Sequence, residues 1–215
     1  MYTLFTANKT NSSWSLRPWI LLEQLCIPFE EKVLYFQPDK NLQKTDFLQA
    51  APTAKMPALH HNGHIIWDSL AIVEYIAEDY PHVWADDKSA RAWSRSACAE
   101  MHSAFTALRS QCSMNTHKFE TLTALDTALK ADLIRINQLW TEGLQRFGGD
   151  YLAGNTFTAT DAFYAPVVIR LKHYGLLDYL SSAAKAYAER IYQLPGMQKW
   201  LSLAETETER PIRNA

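Results

Sequence analysis

Cysteine, excess charge of one sign and long apolar runs are all scarce in this 215-residue chain. Its three cysteines form no CxxC pair, which argues against a disulfide scaffold or a zinc site and fits a reducing compartment. The net charge of −2 offers no basic surface for nucleic acid. No apolar run approaches the roughly 20 residues of a membrane span, and no secretory signal pattern opens the chain. We therefore expect a cytoplasmic protein with no nucleic-acid or membrane partner.

The sequence also lacks the GxGxxG, GxxxxGK[ST], GxSxG and HExxH motifs. Their absence removes the common nucleotide-binding, hydrolase and zinc-protease interpretations. Hydrophobic residues nevertheless make up 47% of the chain, which is enough to bury a sizeable core.

Short β-prone segments alternate with helical patterns over the first eighty residues. The predicted order is strand, helix, strand, helix, strand, strand, helix, at residues 2–6, 15–26, 29–36, 45–50, 58–60, 64–67 and from 70 onwards. Asn62-Gly63 between the last two strands is typical of a tight hairpin. This alternation predicts a mixed α/β sheet domain, βαβαββα, over residues 1–79.

Only helical patterns follow the aperiodic segment 80–87, which we take as a domain linker. Apolar residues at helical spacing predict one long helix from Trp93 to Cys112 and another from Leu122 to Phe147. A capping box at residues 158–161 opens a third helix, in which Pro166 is expected to break the first turn. Two more helices are predicted at 181–193 and 196–204, with a loose polar tail from Glu205. The second domain, residues 88–215, is thus predicted to be all-helical.

The loop at residues 11–15, Asn-Ser-Ser-Trp-Ser, places hydroxyl groups at the predicted start of the first helix. Simple helix capping by serine explains such a loop about as well as function does. The functional alternative is that a hydroxyl and the free N–H groups of the helix start bind an anion.

Two further segments of the first domain carry candidate ligand contacts. If Pro57 in Lys55-Met56-Pro57 is cis, the backbone of Met56 is left unpaired at a sheet edge, where an extended peptide can bind. Asp68-Ser69 starts the third helix, and capping requires only one of the two residues. The pair is then suited to a ligand with both an ammonium and a carboxylate group.

A hairpin with three histidines invites a metal interpretation that the spacing does not support. His60 and His61 point to opposite faces of a strand, and no acidic or cysteine ligand lies close by in sequence. We therefore predict no metal site.

Together these segments resemble the cytosolic glutathione transferase family, in particular its serine-type zeta, phi, tau and theta classes. The resemblance covers nearly the whole chain and depends on Ser12–Arg17 (SSWSLR), Lys55–Leu59 (KMPAL), Trp67–Ile72 (WDSLAI) and the box at Thr158–Asp161. It implies a thioredoxin-like first domain that binds glutathione and an all-helical second domain.

The resemblance implies that a serine activates the thiol of glutathione. In the serine-type classes the catalytic serine typically precedes an arginine of the first helix by five positions, so Arg17 points to Ser12. The shorter spacing of theta-like members would select Ser13, which we otherwise regard as a glutathione-binding neighbour.

The remaining contacts to glutathione also follow from the resemblance. Met56, before the proline, takes the backbone contacts to the cysteinyl unit, and Lys55 matches a position that often contacts the glycyl end. Asp68 and Ser69 match the pair that holds the γ-glutamyl end, where Glu-Ser is the commoner form.

The implied activity is attack of the glutathione thiolate on a soft, hydrophobic electrophile, with glutathione as co-substrate and a role in detoxification. The expected electrophile site lies over the helical domain, where Met101, Phe105 and Leu108 either line it or belong to the core. Two alternatives stay open: a zeta-like glutathione-dependent cis–trans isomerase, because SSWS resembles that class's SSCS, and a glutathione-binding module without activity. The resemblance also implies a homodimer.

Overall fold

A four-stranded mixed sheet forms the first region of the protein, whose computed structural model describes residues 1–207. The strands are β1 (Tyr2–Thr6), β2 (Phe29–Val33), β3 (Ala58–His61) and β4 (His64–Ile66), in the order β2-β1-β3-β4. β2 runs parallel to β1, whereas β3 and β4 are antiparallel to their neighbours. The helices are α1 (Ser13–Gln24), α2 (Lys40–Leu48) and α3 (Ser69–Asp79). The predicted βαβαββα order is confirmed.

The hairpin between β3 and β4 has the geometry that its Asn-Gly sequence predicts. His61 pairs with His64, and the two turn residues, Asn62 and Gly63, have φ angles of 49° and 80°. Both angles lie in the left-handed region that a two-residue type I′ turn requires, and glycine adopts it without a steric penalty.

Two helices of the first region start earlier than the apolar periodicity predicts. α1 starts at Ser13, two residues early, with Ser12 in the N-cap position. α2 starts at Lys40, five residues early, because the Asp39 carboxylate accepts hydrogen bonds from the backbone N–H groups of Asn41 and Leu42.

After a short connection, the regular secondary structure described in the second region is helical apart from one isolated bridge between Tyr151 and Gly154. Residues 80–87 contain a single 3-10 turn, Pro81–Val83. The helices are α4 (Lys88–Ser103), α5 (Thr106–Gln111), α6 (Thr127–Phe147), α7 (Ala159–His173), α8 (Ser182–Tyr192) and α9 (Pro195–Glu207). The end of the predicted polar tail, residues 208–215, lies outside the described residues.

The single long helix predicted from Trp93 to Cys112 is wrong. Ala104 is extended and Phe105 adopts a left-handed conformation with φ 57°, which separates α4 from α5. Sequence periodicity did not reveal this break, because Phe105 stays buried at its expected interval although the backbone has left the helix. The break redirects α5 and with it Arg109.

Two more helix predictions need correction. α6 starts at Thr127, not near Leu122, because Asp126 caps it by accepting from the N–H of Leu129. α7 runs without interruption through Pro166, so the expected break in its first turn is absent.

The two regions share one hydrophobic core, which lies where α1 packs on α7 and α9. The indole rings of Trp19 in α1 and Trp200 in α9 are both buried, with centroids 5.1 Å apart. Trp200 also donates a hydrogen bond from its indole N–H to the carbonyl of Lys9, at 3.0 Å. The helical region therefore contacts the segment that leads into the loop at residues 11–15, which we call the serine loop.

Asp161 joins the start of α7 to its surroundings and is fully buried. Its carboxylate accepts from the Thr158 N–H at 2.9 Å, the Thr158 hydroxyl at 3.1 Å, the Leu152 N–H at 3.1 Å and the Tyr187 hydroxyl at 3.1 Å. Burial raises its pKa to about 6, so the group is an anion at pH 7. The predicted capping box is confirmed.

We expect Asp161→Asn to lower the free energy of unfolding by about 3 kcal/mol, because an amide NH₂ then faces buried donors that have lost their acceptor. Urea unfolding followed by circular dichroism measures this loss. Asp178→Asn, at an exposed ion pair with Lys185, is the control and should stay within about 0.5 kcal/mol. Equal effects of the two substitutions would contradict the role given to Asp161.

Candidate functional site

A cleft of about 690 Å³ lies where the start of α1, the segment before β3 and the start of α3 meet. Most of its lining comes from the first region, and α5 adds one side chain. The lining residues are Asn11, Ser12, Ser13, Trp14, Phe36, Gln43, Phe47, Thr53, Ala54, Lys55, Met56, Pro57, Trp67, Asp68 and Arg109. Five of the six residues predicted from the sequence are in this set, and Ser69 is not.

Ser12 occupies the N-cap position of α1, yet its side chain accepts no hydrogen bond from the helix backbone. Its hydroxyl instead donates to the Ser15 Oγ at 2.7 Å, and that oxygen also accepts from the Ala7 N–H at 3.0 Å. The Ser12 side chain is 6% exposed and lies at the cleft wall. Simple capping therefore does not account for this hydroxyl.

Ser13 lies beside Ser12 at the first position of α1 and is tied to the helical region. Its Oγ accepts a hydrogen bond from the Arg170 guanidinium at 3.2 Å. Arg170 also donates to the carbonyl groups of Cys112 and Arg109. Because its lone pair is shared with a cation, Ser13 is a better donor than an isolated serine, but it is also held in place.

Lys55 and Met56 form the cleft wall in front of β3. The Met56–Pro57 peptide bond is cis. Within residues 1–207, the Met56 N–H and C=O make no hydrogen bond to another residue, so both are free to pair with an extended ligand. Lys55 is exposed and forms no ion pair in the same range.

Asp68 and Ser69 start α3, but the structure separates their side chains. Asp68 is half-exposed; one carboxylate oxygen accepts from the Leu70 N–H at 3.0 Å and the other lies 3.2 Å from Nε2 of His102. Ser69 is fully buried, and its hydroxyl oxygen accepts from the Arg17 guanidinium at 3.4 Å. Asp68 thus faces the cleft, whereas the Ser69 hydroxyl faces the core.

Arg17 is buried directly behind the serine loop and has no carboxylate partner among the described residues. Its guanidinium lies over the rings of Trp14, at 4.1 Å, and Phe163, at 4.8 Å, and its Nε has no acceptor in residues 1–207. Burial lowers the pKa of Arg17 to about 9, with a smaller contribution from Arg109. The group therefore remains a cation at neutral pH, in a site of low dielectric constant.

The three residues expected either to line an electrophile site or to belong to the core belong to the core. Met101, Phe105 and Leu108 are each no more than 3% exposed, and none lines the cleft. The helical region instead contributes Arg109, the next residue along α5. Of the two alternatives that the sequence left open, the structure therefore supports the core assignment.

Two of the three histidines of the hairpin have other partners. Nε2 of His60 lies 2.7 Å from the carbonyl of Ala50, and Nδ1 of His61 lies 3.0 Å from the hydroxyl of Tyr75. Among residues 1–207 no group of three or more histidine, cysteine, aspartate or glutamate side chains is placed to hold a metal ion. None of the helices in this range combines the length and apolar composition of a membrane-spanning helix.

Sequence reasoning missed four side chains around the serine loop: Trp14, His102, Arg109 and Arg170. The ring of Trp14 packs edge-on against His102, at 5.0 Å between centroids. Arg109 stacks on Trp14 at 4.7 Å, and Arg170 reaches Ser13. These contacts join residues 88 to 157 positions apart, so no local sequence signal identifies them.

We expect Arg17→Met to leave the free energy of unfolding unchanged within about 1 kcal/mol or to raise it by up to about 2 kcal/mol. The reason is that an apolar side chain of similar length replaces a buried cation that lacks an anionic partner. Urea unfolding measures the effect, with exposed Arg146→Met as the matched control. A loss above about 2 kcal/mol would show that the neutral contacts of Arg17 stabilise the fold.

Comparison with known proteins shows which family this chain resembles. Residues 11–79 match the family described as glutathione S-transferase, N-terminal domain, and residues 91–201 match glutathione S-transferase, C-terminal domain. The glutathione S-transferase-like protein OpS6 of Beauveria bassiana is 27% identical over 173 residues, which are 76% of each chain. The maleylacetoacetate isomerase of Dictyostelium discoideum is 34% identical over 79 residues, 36% of this chain and 35% of its own.

A solved structure agrees on the fold. A glutathione transferase homologue from Burkholderia strain BGR1, crystallised with bound glutathione, superposes with a TM-score of 0.69 at 20% identity, covering 95% of this chain and 98% of its own. Both family matches fall on the two regions that the structure separates. The chain therefore belongs to the glutathione S-transferase family and has both of its domains.

Proposed function

We propose that this protein is a glutathione transferase in which the Ser12 hydroxyl stabilises the thiolate of glutathione for attack on a soft electrophile. The observation that carries the proposal is the position of that hydroxyl, which lies at the N-cap of α1, on the cleft wall, and caps no backbone group. A sulfur atom beside Ser12 also meets the unpaired N–H groups of the first helical turn.

The free energies involved are sufficient without a metal or a general base. A free thiol has a pKa near 8.5, and lowering it by two units requires about 2.7 kcal/mol of preferential stabilisation of the anion. A hydrogen bond from a hydroxyl to a charged group contributes about 1.5–3 kcal/mol. A helix N-terminus contributes about 0.3–2 kcal/mol.

Ser15 supports the proposed donor role of Ser12. In the structure the Ser12 hydroxyl donates to Ser15. Each hydroxyl is both a donor and an acceptor, so the bond can reverse when a thiolate binds. Ser15 then donates to Ser12, and Ser12 donates to sulfur. Such a chain polarises the terminal O–H bond and strengthens its bond to the anion.

The remaining residues suit a stretched tripeptide. We place the cysteinyl backbone on Met56, whose N–H and C=O are free, and the glycyl end near Lys55. Asp68 takes the ammonium of the γ-glutamyl end, and the carboxylate of that end lies at the start of α3. Because the Ser69 side chain is fully buried, we place its contact at the backbone N–H.

The isomerase alternative is favoured by the partial match to a maleylacetoacetate isomerase. An isomerase uses the thiolate as a transient nucleophile and releases glutathione unchanged. Mass spectrometry of the products separates the two activities, because only a transferase consumes glutathione. A homodimer stays a prediction from the family resemblance, and a cytoplasmic location stays a prediction from the cysteine pattern and composition of the sequence.

We expect Ser12→Ala to raise the pKa of enzyme-bound glutathione by about one to two units and to lower kcat at pH 7 by about 10- to 100-fold. The KM for glutathione should change less than threefold, because the tripeptide keeps its other contacts. Thiolate absorbance against pH and steady-state kinetics measure the two effects.

Ser13→Ala is the matched variant for that experiment. If Ser12 is the thiolate partner, Ser13→Ala leaves the thiol pKa within about half a unit. The opposite pattern would transfer the role to Ser13, and no change in either variant would remove the serine mechanism.

We expect Asp68→Asn to weaken glutathione binding about tenfold with little change in kcat, since it removes the charge that pairs with the ammonium group. Exposure of the site keeps the effect at the low end of charged hydrogen bonds. Asparagine caps helices as well as aspartate does, so α3 is preserved. Isothermal titration with glutathione measures the affinity.

Asp87→Asn, at the N-cap of α4, is the control and should bind glutathione normally. Unchanged affinity in Asp68→Asn would place the γ-glutamyl end elsewhere.

A further inference from the structure

Three guanidinium groups lie near one another at the end of the cleft where the serines lie, two of them over the ring of Trp14. Arg17 and Arg109 lie over the Trp14 ring, at 4.1 and 4.7 Å from its centroid. Arg170 donates to Ser13 at 3.2 Å and to the carbonyl of Arg109 at 3.4 Å. We call Arg17, Arg109 and Arg170 the arginine corner.

No carboxylate of residues 1–207 is in direct contact with the arginine corner, although Asp68 acts on Arg17 at longer range. In the described part of the chain, none of the three forms an ion pair with a carboxylate. Their hydrogen-bond acceptors are all neutral: Ser13 Oγ, Ser69 Oγ and the carbonyl groups of Met101, His102, Arg109 and Cys112. Burial lowers the pKa of Arg17 to about 9 and that of Arg170 to about 10, so both stay charged at pH 7. A buried cation that lacks an anionic partner is stabilised by a ligand that carries a negative charge.

Arg109 is the member of the corner that lines the cleft. It is half-buried, and within residues 1–207 its guanidinium makes a single hydrogen bond, to the carbonyl of His102 at 3.4 Å. The guanidinium group has five donors in a rigid planar fork, which matches the two oxygens of a carboxylate. Stacking on Trp14 fixes the plane of that fork and leaves its edge available.

The location of Arg109 makes contact with the electrophile more consistent with the site than contact with glutathione. The proposed contacts to the charged ends of glutathione, Lys55 and Asp68, come from the first region, before β3 and at the start of α3. Arg109 comes from α5 of the helical region and reaches Trp14, the residue after Ser13. A group bound by Arg109 therefore lies beside the sulfur end of the cleft.

We propose that Arg109 binds a carboxylate of the second substrate, so that the enzyme selects soft electrophiles that carry an anionic group. This inference rests on the proposed function of the same cleft. Arg17 and Arg170 support it by adding positive potential behind Arg109. The apolar lining expected of such a site is replaced by a cation at this point.

The reaction of a suitable probe, 4-chloro-3-nitrobenzoate, balances without a further reactant. The thiol of glutathione loses its proton to solvent, and the thiolate attacks the ring carbon that bears chlorine. The C–S bond forms, the C–Cl bond breaks, and chloride leaves with the bonding electron pair. Arg109 holds the carboxylate throughout and takes no part in bond making.

The first test measures binding and does not require turnover. The conjugate S-(4-carboxy-2-nitrophenyl)glutathione and its methyl ester are made chemically, and isothermal titration compares their affinities. We expect the unmodified protein to bind the acid about tenfold more tightly than the ester. Arg109→Gln should bind both within about twofold of each other, and Arg109→Lys should keep part of the preference because it keeps the charge but not the fork.

Arg146→Gln, on the exposed end of α6, is the matched control and should retain the full preference for the acid. The proposal is overturned if the unmodified protein binds acid and ester equally or if Arg109→Gln keeps the preference. It is also overturned if Arg109→Gln weakens glutathione alone by tenfold, since Arg109 then belongs to the tripeptide site.

The second test compares kcat/KM for 4-chloro-3-nitrobenzoate and its methyl ester. Taking the acid-to-ester ratio in each variant cancels the intrinsic reactivity of the two probes, and we expect that ratio to fall about tenfold in Arg109→Gln. Equal losses on both probes would contradict the proposal. Absence of conjugation with either probe and with 1-chloro-2,4-dinitrobenzene, together with an intact binding preference, would refute the transferase function and leave the anion site standing.

Discussion

The burial of Arg17 without an anionic partner is the constraint on which the site depends. Its guanidinium contacts Ser69 in α3, Met101 in α4, Trp14 in its own helix and Phe163 in α7. A side chain with these contacts lies at the boundary between the sheet region and the helical region. It also places a desolvated cation directly behind a loop of hydroxyl groups, where an anion is the natural complement. The same side chain, Arg17, therefore contacts the core of the fold and contributes positive charge to the site.

The two neighbouring serines have different environments, and this difference supports the different roles proposed for them. The Ser12 hydroxyl is bonded to another hydroxyl, whose orientation can reverse, whereas Ser13 is fixed by Arg170. A flexible donor suits a group that must accept a new partner when ligand binds. A fixed hydroxyl, such as that of Ser13, suits a residue that forms the wall of the site. Two neighbouring residues also differ at the start of α3, where Asp68 faces the cleft and Ser69 faces the core.

Much of the fold was predictable because its signals are local. The strand order, the Asn-Gly turn and the capping box at residues 158–161 each depend on residues within a few positions of one another. Helix boundaries were less predictable wherever a cap lay ahead of the apolar pattern, as at Asp39 and Asp126. The break at Phe105 was not predicted, because periodicity reports which residues are buried and not their backbone conformation. Phe105 is buried although its backbone is left-handed.

By itself the sequence determined the two-region architecture and the segments that form the cleft, because these follow from periodicity, turn chemistry and capping patterns. Its short motifs carried the resemblance to the family. Only the tertiary structure decided which way those segments face and what lies behind them. It turned the Ser69 hydroxyl into the core, moved Met101, Phe105 and Leu108 out of the cleft lining and brought Arg109 into it. The physical reason is that desolvation and charge proximity depend on contacts between helices far apart in the chain, and no local pattern encodes those contacts.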